Sequence, residues 1–186
     1  MDKTTPAICV FCGSSHGAKP AYAQAAIRLG TLIGSRGFSL VFGGGNVGLM
    51  GETSRAARAA GAKVMGIIPG FLRRREVQGL DDVIVPDMQI RKQRMINEAD
   101  AFVVLPGGLG TLDELFEVIS IAQLKEHDKP IVIVNTDDFY APLWPLLSRV
   151  VREGFAMRNV ENLYHVVNTP EQAIEMIEKL LGHAPR

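Results

Sequence analysis

A three-layer, doubly wound, Rossmann-like α/β fold is what this 186-residue sequence predicts. Three observations lead to it. Short Val/Ile/Leu-rich runs alternate with helical patterns along the whole chain, which indicates a parallel sheet covered on both faces. Glycine-rich loops follow several of those runs, where ligands of such folds bind. No repeat, low-complexity tract or linker interrupts the alternation, so residues 1–186 are expected to form a single domain.

In chain order, Ala7–Cys12 reads as a strand and Tyr22–Ser35 as a helix. Strand Ser39–Phe42 and helix Leu49–Ala60 follow. Lys63–Ile68 and Val83–Val85 are strands, and Met88–Glu98 is a helix. Strand Ala101–Leu105 leads to helix Leu112–Lys125, and strand Ile131–Val134 leads to helix Leu143–Glu153. Strand Tyr164–Val167 and helix Pro170–Leu181 complete the chain. Thr169 before Pro170 is an N-cap with proline at the first helical position, and Gly182 marks the far end. The helix from Leu112 to Leu124 is apolar nearly all round, so it needs cover on two sides. One cover is the sheet. The other is read as a second subunit in preference to a buried monomer core.

Lysine plus arginine and aspartate plus glutamate number 20 each. That balance gives no bulk attraction to nucleic acid or an anionic membrane. No run is long and apolar enough for a bilayer span, and the start lacks a signal-peptide core, so cytoplasm is the expected location. Cys9 and Cys12 are spaced C-x-x-C. On a strand, residues three apart face opposite sides, so two small buried side chains are expected and not a redox pair. The four histidines form no ligand cluster, and no metal site is expected.

The most informative stretch is Pro106-Gly107-Gly108-Leu109-Gly110-Thr111-Leu112-Asp113-Glu114. It reads as strand, glycine loop and helix start, a place where backbone N–H groups and the helix dipole favour a phosphate. Thr111 to Glu114 also matches a capping box. A cap alone does not call for three glycines, and an acid one turn inside a phosphate-loving helix mouth suggests chemistry on a phosphorylated substrate. Gly43 to Gly48 matches G-x-G-x-x-G. The following strand has no terminal acid for a ribose, so a dinucleotide site is rejected. A close approach of Gly44 and Gly45 to a ligand and simple helix–sheet packing are equal alternatives. Gly13 and Ser14, after the first strand, could hold a sugar or base on the same rim. Between Asp87 and Glu98, Met88, Met95 and Ala99 form the apolar stripe, with Lys92 inside it and Arg91 on its flank. Buried cations need an anion. Arg73-Arg74-Arg75 reads as a solvated run, with a mobile basic lid as the alternative.

Gly43–Gly51 (GGGNVGLMG), Arg91-Lys92 and Pro106–Glu114 (PGGLGTLDE) together resemble the Lonely Guy (LOG) family, often mislabelled lysine decarboxylases. The likeness runs from about Ile8 to about Leu181. It implies a homodimeric phosphoribohydrolase without a cofactor. Such enzymes release free base and ribose 5-phosphate from cytokinin riboside 5′-monophosphates, and several act on AMP. It implies Arg91 and Glu114 as catalytic residues. Lys92, Gly107, Gly108, Leu109, Gly110 and Thr111 would hold phosphate and sugar. Glu76 would contact the base, and Ser120 stands where many relatives have a threonine near the substrate. Met88 opens the segment that plant members usually write Met-His-x-Arg-Lys; here Gln89 replaces the histidine. A nucleotide or molybdenum-cofactor carrier without turnover is the competing expectation.

Overall fold

The computed structural model describes residues 5–71, 83–85, 87–156 and 159–182. Its elements are β1 (Ala7–Phe11), α1 (Pro20–Ser35), β2 (Ser39–Phe42), α2 (Gly48–Ala59), β3 (Val64–Pro69), β4 (Val83–Val85) and α3 (Met88–Glu98). They continue as β5 (Ala101–Val104), α4 (Leu109–Gln123), β6 (Ile131–Val134), α5 (Leu143–Arg152), β7 (His165–Val167) and α6 (Pro170–Leu181). Every paired strand is parallel, in the order β4-β3-β2-β1-β5-β6-β7.

The chain therefore runs outward from β1 to β4, then returns to lay β5 on the other side of β1. Ile8 pairs with Ala101 and Phe11 with Val104 in that central register. The loops leaving β1 and β5 part company there, and a doubly wound sheet opens its ligand crevice at that point.

The central strands are buried along their whole length. Alternate side chains of β1 enter different layers. Ile8, Val10 and Cys12 pack with α1, α2 and α6, whereas Ala7, Cys9 and Phe11 pack with α3 and α4. The two cysteines thus face opposite layers, both free and buried, as the strand spacing predicts. Each fully buried Val, Ile or Phe contributes roughly 1.5–3 kcal/mol relative to exposure.

Helix ends follow local chemistry. Asp87 Oδ1 accepts the Ile90 N–H at 2.8 Å, and Thr169 Oγ1 accepts the Gln172 N–H at 3.3 Å. Gly182 ends α6 in the left-handed region. The largest boundary shift from expectation is at α4. Helix α4 starts at Leu109, with Gly108 as its extended N-cap, so Thr111 already lies inside the helix and is no capping residue. The reason is that the Gly108 carbonyl accepts both the Thr111 and Leu112 N–H groups. The Glu114 carboxylate is consequently free to point elsewhere.

Part of the helix surface expected to need a second cover is open in the single chain: Phe116 is 37 % and Leu124 69 % exposed. Among the described residues no helix is long and apolar enough to cross a membrane.

Candidate active site

Two glycine-led helix starts meet at the carboxyl rim of the sheet, and they differ in kind. At the first, the Gly13 carbonyl accepts the Leu49 N–H at 3.0 Å and the Met50 N–H at 3.3 Å. The mouth of α2 is thereby sealed by the β1 loop. Gly48 makes this possible: its φ is +56°, and a Cβ there would fall 2.3 Å from Ser14 and Ser15 backbone atoms. Packing explains that glycine.

At the second, the mouth of α4 is open. A Cβ at Gly108 or Gly110 would meet nothing within 4 Å. The first N–H groups of a helix have no partner within it, so this end presents donors and a positive dipole to whatever enters. Gly107 beneath is required by crowding, since a Cβ there would sit 2.1 Å from Thr111 Oγ1. The Gly13 N–H donates to the Pro106 carbonyl at 3.1 Å, tying the two loops together. The Tyr140 hydroxyl, arriving from the loop after β6, donates to the Leu105 carbonyl at 2.8 Å and fixes the strand end that launches the glycines.

Arg91 reaches this mouth from α3. Its Nε donates to the Ile67 carbonyl at 3.1 Å, and its Nη1 donates to Glu114 Oε1 at 2.7 Å. The two side chains are only 9 % and 10 % exposed. Burial pushes the Glu114 carboxyl above the usual carboxylate range, and the Arg91 cation pulls it partly back. Such a displaced acid, in a cleft and against a fixed cation, marks a place for proton or charge chemistry.

The cleft over this pair measures about 290 Å³. Arg91, Glu114, Thr111 and Ser14 give it polar atoms, and Val47, Met50, Ile68, Met88 and Leu109 an apolar remainder. A larger hollow of about 680 Å³ opens at the other rim, beside Pro130, Ile131 and His165. It lies at the strands' amino ends, the wrong side for ligands of this fold. Its His127 is occupied by the Val118 carbonyl and the Lys129 N–H.

A family model described as "Possible lysine decarboxylase" matches residues 50–177. The Arabidopsis thaliana cytokinin riboside 5′-monophosphate phosphoribohydrolase LOG3 is 46 % identical over 181 residues, covering 96 % of this chain and 83 % of its own. Its relative LOG1 from the same plant is 45 % identical over 182 residues, covering 96 % and 84 %. The chain belongs to the LOG family. Among solved structures, a molybdenum cofactor binding protein from Rippkaea orientalis superposes with a TM-score of 0.73 at 26 % identity, over 95 % of this chain and 98 % of that one.

The site residues expected from the sequence do not all converge. Ser14, Gly45, Met88, Gly108, Leu109, Gly110 and Thr111 line the cleft with Arg91 and Glu114. Gly13 and Gly107 lie on an adjoining hollow of about 230 Å³ across the same loop. Gly44 turns away, with φ +75° and its Cα face against Ile68. Lys92 stands outside the cleft lining, its Nζ 3.1 Å from Asp113 Oδ2 and 2.6 Å from Glu117 Oε2. Ser120 is exposed further along α4 and outside the lining. Glu76 and Arg73-Arg74-Arg75 lie outside the described residues.

The expected stripe on α3 holds at Met95 and Ala99, both buried, and fails at Met88, which is 39 % exposed; Arg91 and Ile96 are the other buried residues. The helix is turned so that Arg91 faces inward, because Glu114 and the Ile67 carbonyl wait for it there. Sequence reasoning missed Cys12, Gly43, Val47, Met50 and Ile68, all of which line the cleft. Gly43 and Ile68 had a usable signal: they end or directly follow strands on the binding rim.

Proposed function

We propose that this chain hydrolyses the N-glycosidic bond of adenosine-type nucleoside 5′-monophosphates, including N6-modified ones, to free base and ribose 5-phosphate. The observation that carries the reading is a buried carboxylate, Glu114, held by Arg91 one turn inside an open helix mouth. The names of the LOG-family relatives point the same way.

The open mouth of α4 suits the phosphate, with the N–H groups of Gly108, Leu109 and Gly110 as donors. Phosphate and Glu114 repel, so the anion belongs on the outer turn and the sugar inward, with C1′ toward the acid. The C1′–N9 bond breaks with its electron pair leaving on the purine. Ionised Glu114 stabilises the cationic sugar that forms and takes a proton from the water that adds to C1′. The proton taken from water passes from Glu114 through solvent to a ring nitrogen of the departed purine, which restores the ionised acid. Arg91 orients the acid and keeps part of it ionised. Binding energy on the remote phosphate fixes the reacting carbon.

Val47, Met50, Ile68, Met88 and Leu109 offer apolar surface for a purine bearing an alkyl group on N6. Lys92 supports the site indirectly in this reading: it neutralises Asp113 and Glu117, whose charges would otherwise oppose the phosphate. The exposed Phe116 and Leu124 on α4 are assigned to a second copy of the chain, making a homodimer. A lysine decarboxylase would need a lysine for pyridoxal phosphate, and no lysine lines the cleft among the described residues.

The test is incubation with AMP, isopentenyladenosine 5′-monophosphate and the matching nucleosides, scored for free base. Base release from the monophosphates and not the nucleosides is expected. Tight monophosphate binding with no free base would identify a binding protein without turnover instead.

A further inference from the structure

Gly43 follows β2 directly and lines the cleft. A Cβ at this position would lie 1.9 Å from Arg91 Nη2 and 3.1 Å from Arg91 Cζ. The third nearest atom is the Met50 sulfur at 3.4 Å, an ordinary contact. No backbone atom is among the three, and Gly43 is not one of the glycines with positive φ. The chain itself would therefore accept alanine here. The guanidinium would not.

Its neighbours in the loop are different. Gly44 and Gly48 have φ of +75° and +56°, and Gly48 abuts the backbone of Ser14 and Ser15. Alanine at either would strain the fold. Gly43 is set apart because the group that needs its missing side chain is a distant arginine.

That arginine is held at two points. Its Nε is bonded to the Ile67 carbonyl, its Nη1 to Glu114, and its side chain is largely closed off from water. Displacing Nη2 by the distance a methyl group needs must lengthen one of those two bonds.

We propose that Gly43 is a positioning residue: the bare Cα forms one wall of a slot that seats Arg91 Nη2, so that Nη1 meets the Glu114 carboxylate. The kinetic arm of its test rests on the N-glycosidase reading above, and the structural arm does not.

The experiment is a double-mutant cycle of Gly43→Ala and Arg91→Lys, with base release from AMP and melting curves measured for all four proteins. Lysine has no second nitrogen to occupy the slot. In the native background Gly43→Ala is expected to fold and to lower kcat/KM about 100-fold, the scale set by misplacing a catalytic group by about 1 Å. In the Arg91→Lys background the same change is expected to cost less than about 3-fold. Equal losses in both backgrounds, or a native-like Gly43→Ala enzyme, would overturn the proposal. So would a Gly43→Ala chain that does not fold, since only the guanidinium is said to be displaced. If the native protein releases no base, the functional reading fails while this one is still decided by a crystal structure of Gly43→Ala. Loss of the Arg91–Glu114 hydrogen bond there supports it, and retention of that bond at its native length sinks it.

Discussion

Arg91 Nη1 donates to Glu114 Oε1 at 2.7 Å from a helix that the acid does not belong to. The contact joins α3 to α4 across the carboxyl edge of the sheet. Two charged groups so far from water are costly unless each satisfies the other. Here the Ile67 carbonyl takes a further guanidinium N–H, so the cation is fixed at two points. The pair is built as a unit, and removing either member should affect both.

Glu114→Gln tests the acid with little change in shape. The amide oxygen can still accept from Arg91, so the fold and nucleotide affinity should persist. Turnover should fall by roughly 100-fold or more. Calorimetric titration with AMP alongside a base-release assay separates the two effects, and near-native turnover would take Glu114 out of the mechanism. Glu114→Ala, by contrast, leaves a buried unpaired cation and should destabilise by about 3–5 kcal/mol.

Activity and stability should respond to pH in opposite senses. Burial raises the Glu114 carboxyl above its unfolded value of 4.5. Between 4.5 and the raised value the folded chain holds a proton that the unfolded chain has released. The stability from this group is thus fully present below 4.5 and is lost as pH rises through that window. The ionised acid does the chemistry, so the rate climbs through the same window, with its acid limb above the ordinary carboxylate range. Glu114→Gln should flatten this component of the stability profile, measured by denaturant melts at several pH values. Arg91→Met removes the group that pulls the acid down, so residual activity should show its acid limb moved further up.

Lys92→Met distinguishes a direct phosphate ligand from a support. Its ion pairs with Asp113 and Glu117 are partly exposed, worth about 0.2–1 kcal/mol each. A drop of a few degrees in Tm and a change in AMP affinity below about 10-fold are expected. A loss above about 100-fold in affinity would put the ammonium on the phosphate, as the family resemblance implies.

Tyr140→Phe removes the hydroxyl that holds the Leu105 carbonyl. An unpaired buried carbonyl costs about 1–3 kcal/mol. The glycine loop loses its anchor too, so KM for AMP should rise while kcat changes little. An unaltered melting point and KM would show that the loop needs no such support.

Phe116→Glu places a charge on the open face of α4. Light scattering should find a dimer for the native chain and a monomer for the variant. A native monomer would leave that face without its assigned partner.

Much of this architecture could be read from residue order. The strands are near-continuous apolar runs, and α3 begins and ends where Asp87 and Glu98 suggest. Glu114 was legible because a glycine loop followed by an acid is a local pattern, and Arg91 because a cation beside an apolar stripe joined the motifs that resemble the LOG family. Lys92 was not, because helical phase alone sets it on the inner face. What rotates α3 is an attraction to Glu114 that no local window contains. The N-cap at Gly108 was missed for a related reason: Thr111 offers the better capping side chain, yet the glycine carbonyl makes the bonds. Gly43 looked like one glycine among several, since its tenant arrives from a helix much later in the chain.

The carbonyl of Gly13 has one more effect. By accepting the Leu49 and Met50 N–H groups, it closes the α2 entrance to an anion and leaves the α4 entrance beside it open. A second phosphoryl group would find those two N–H donors already engaged, by a main-chain atom that no side-chain substitution removes.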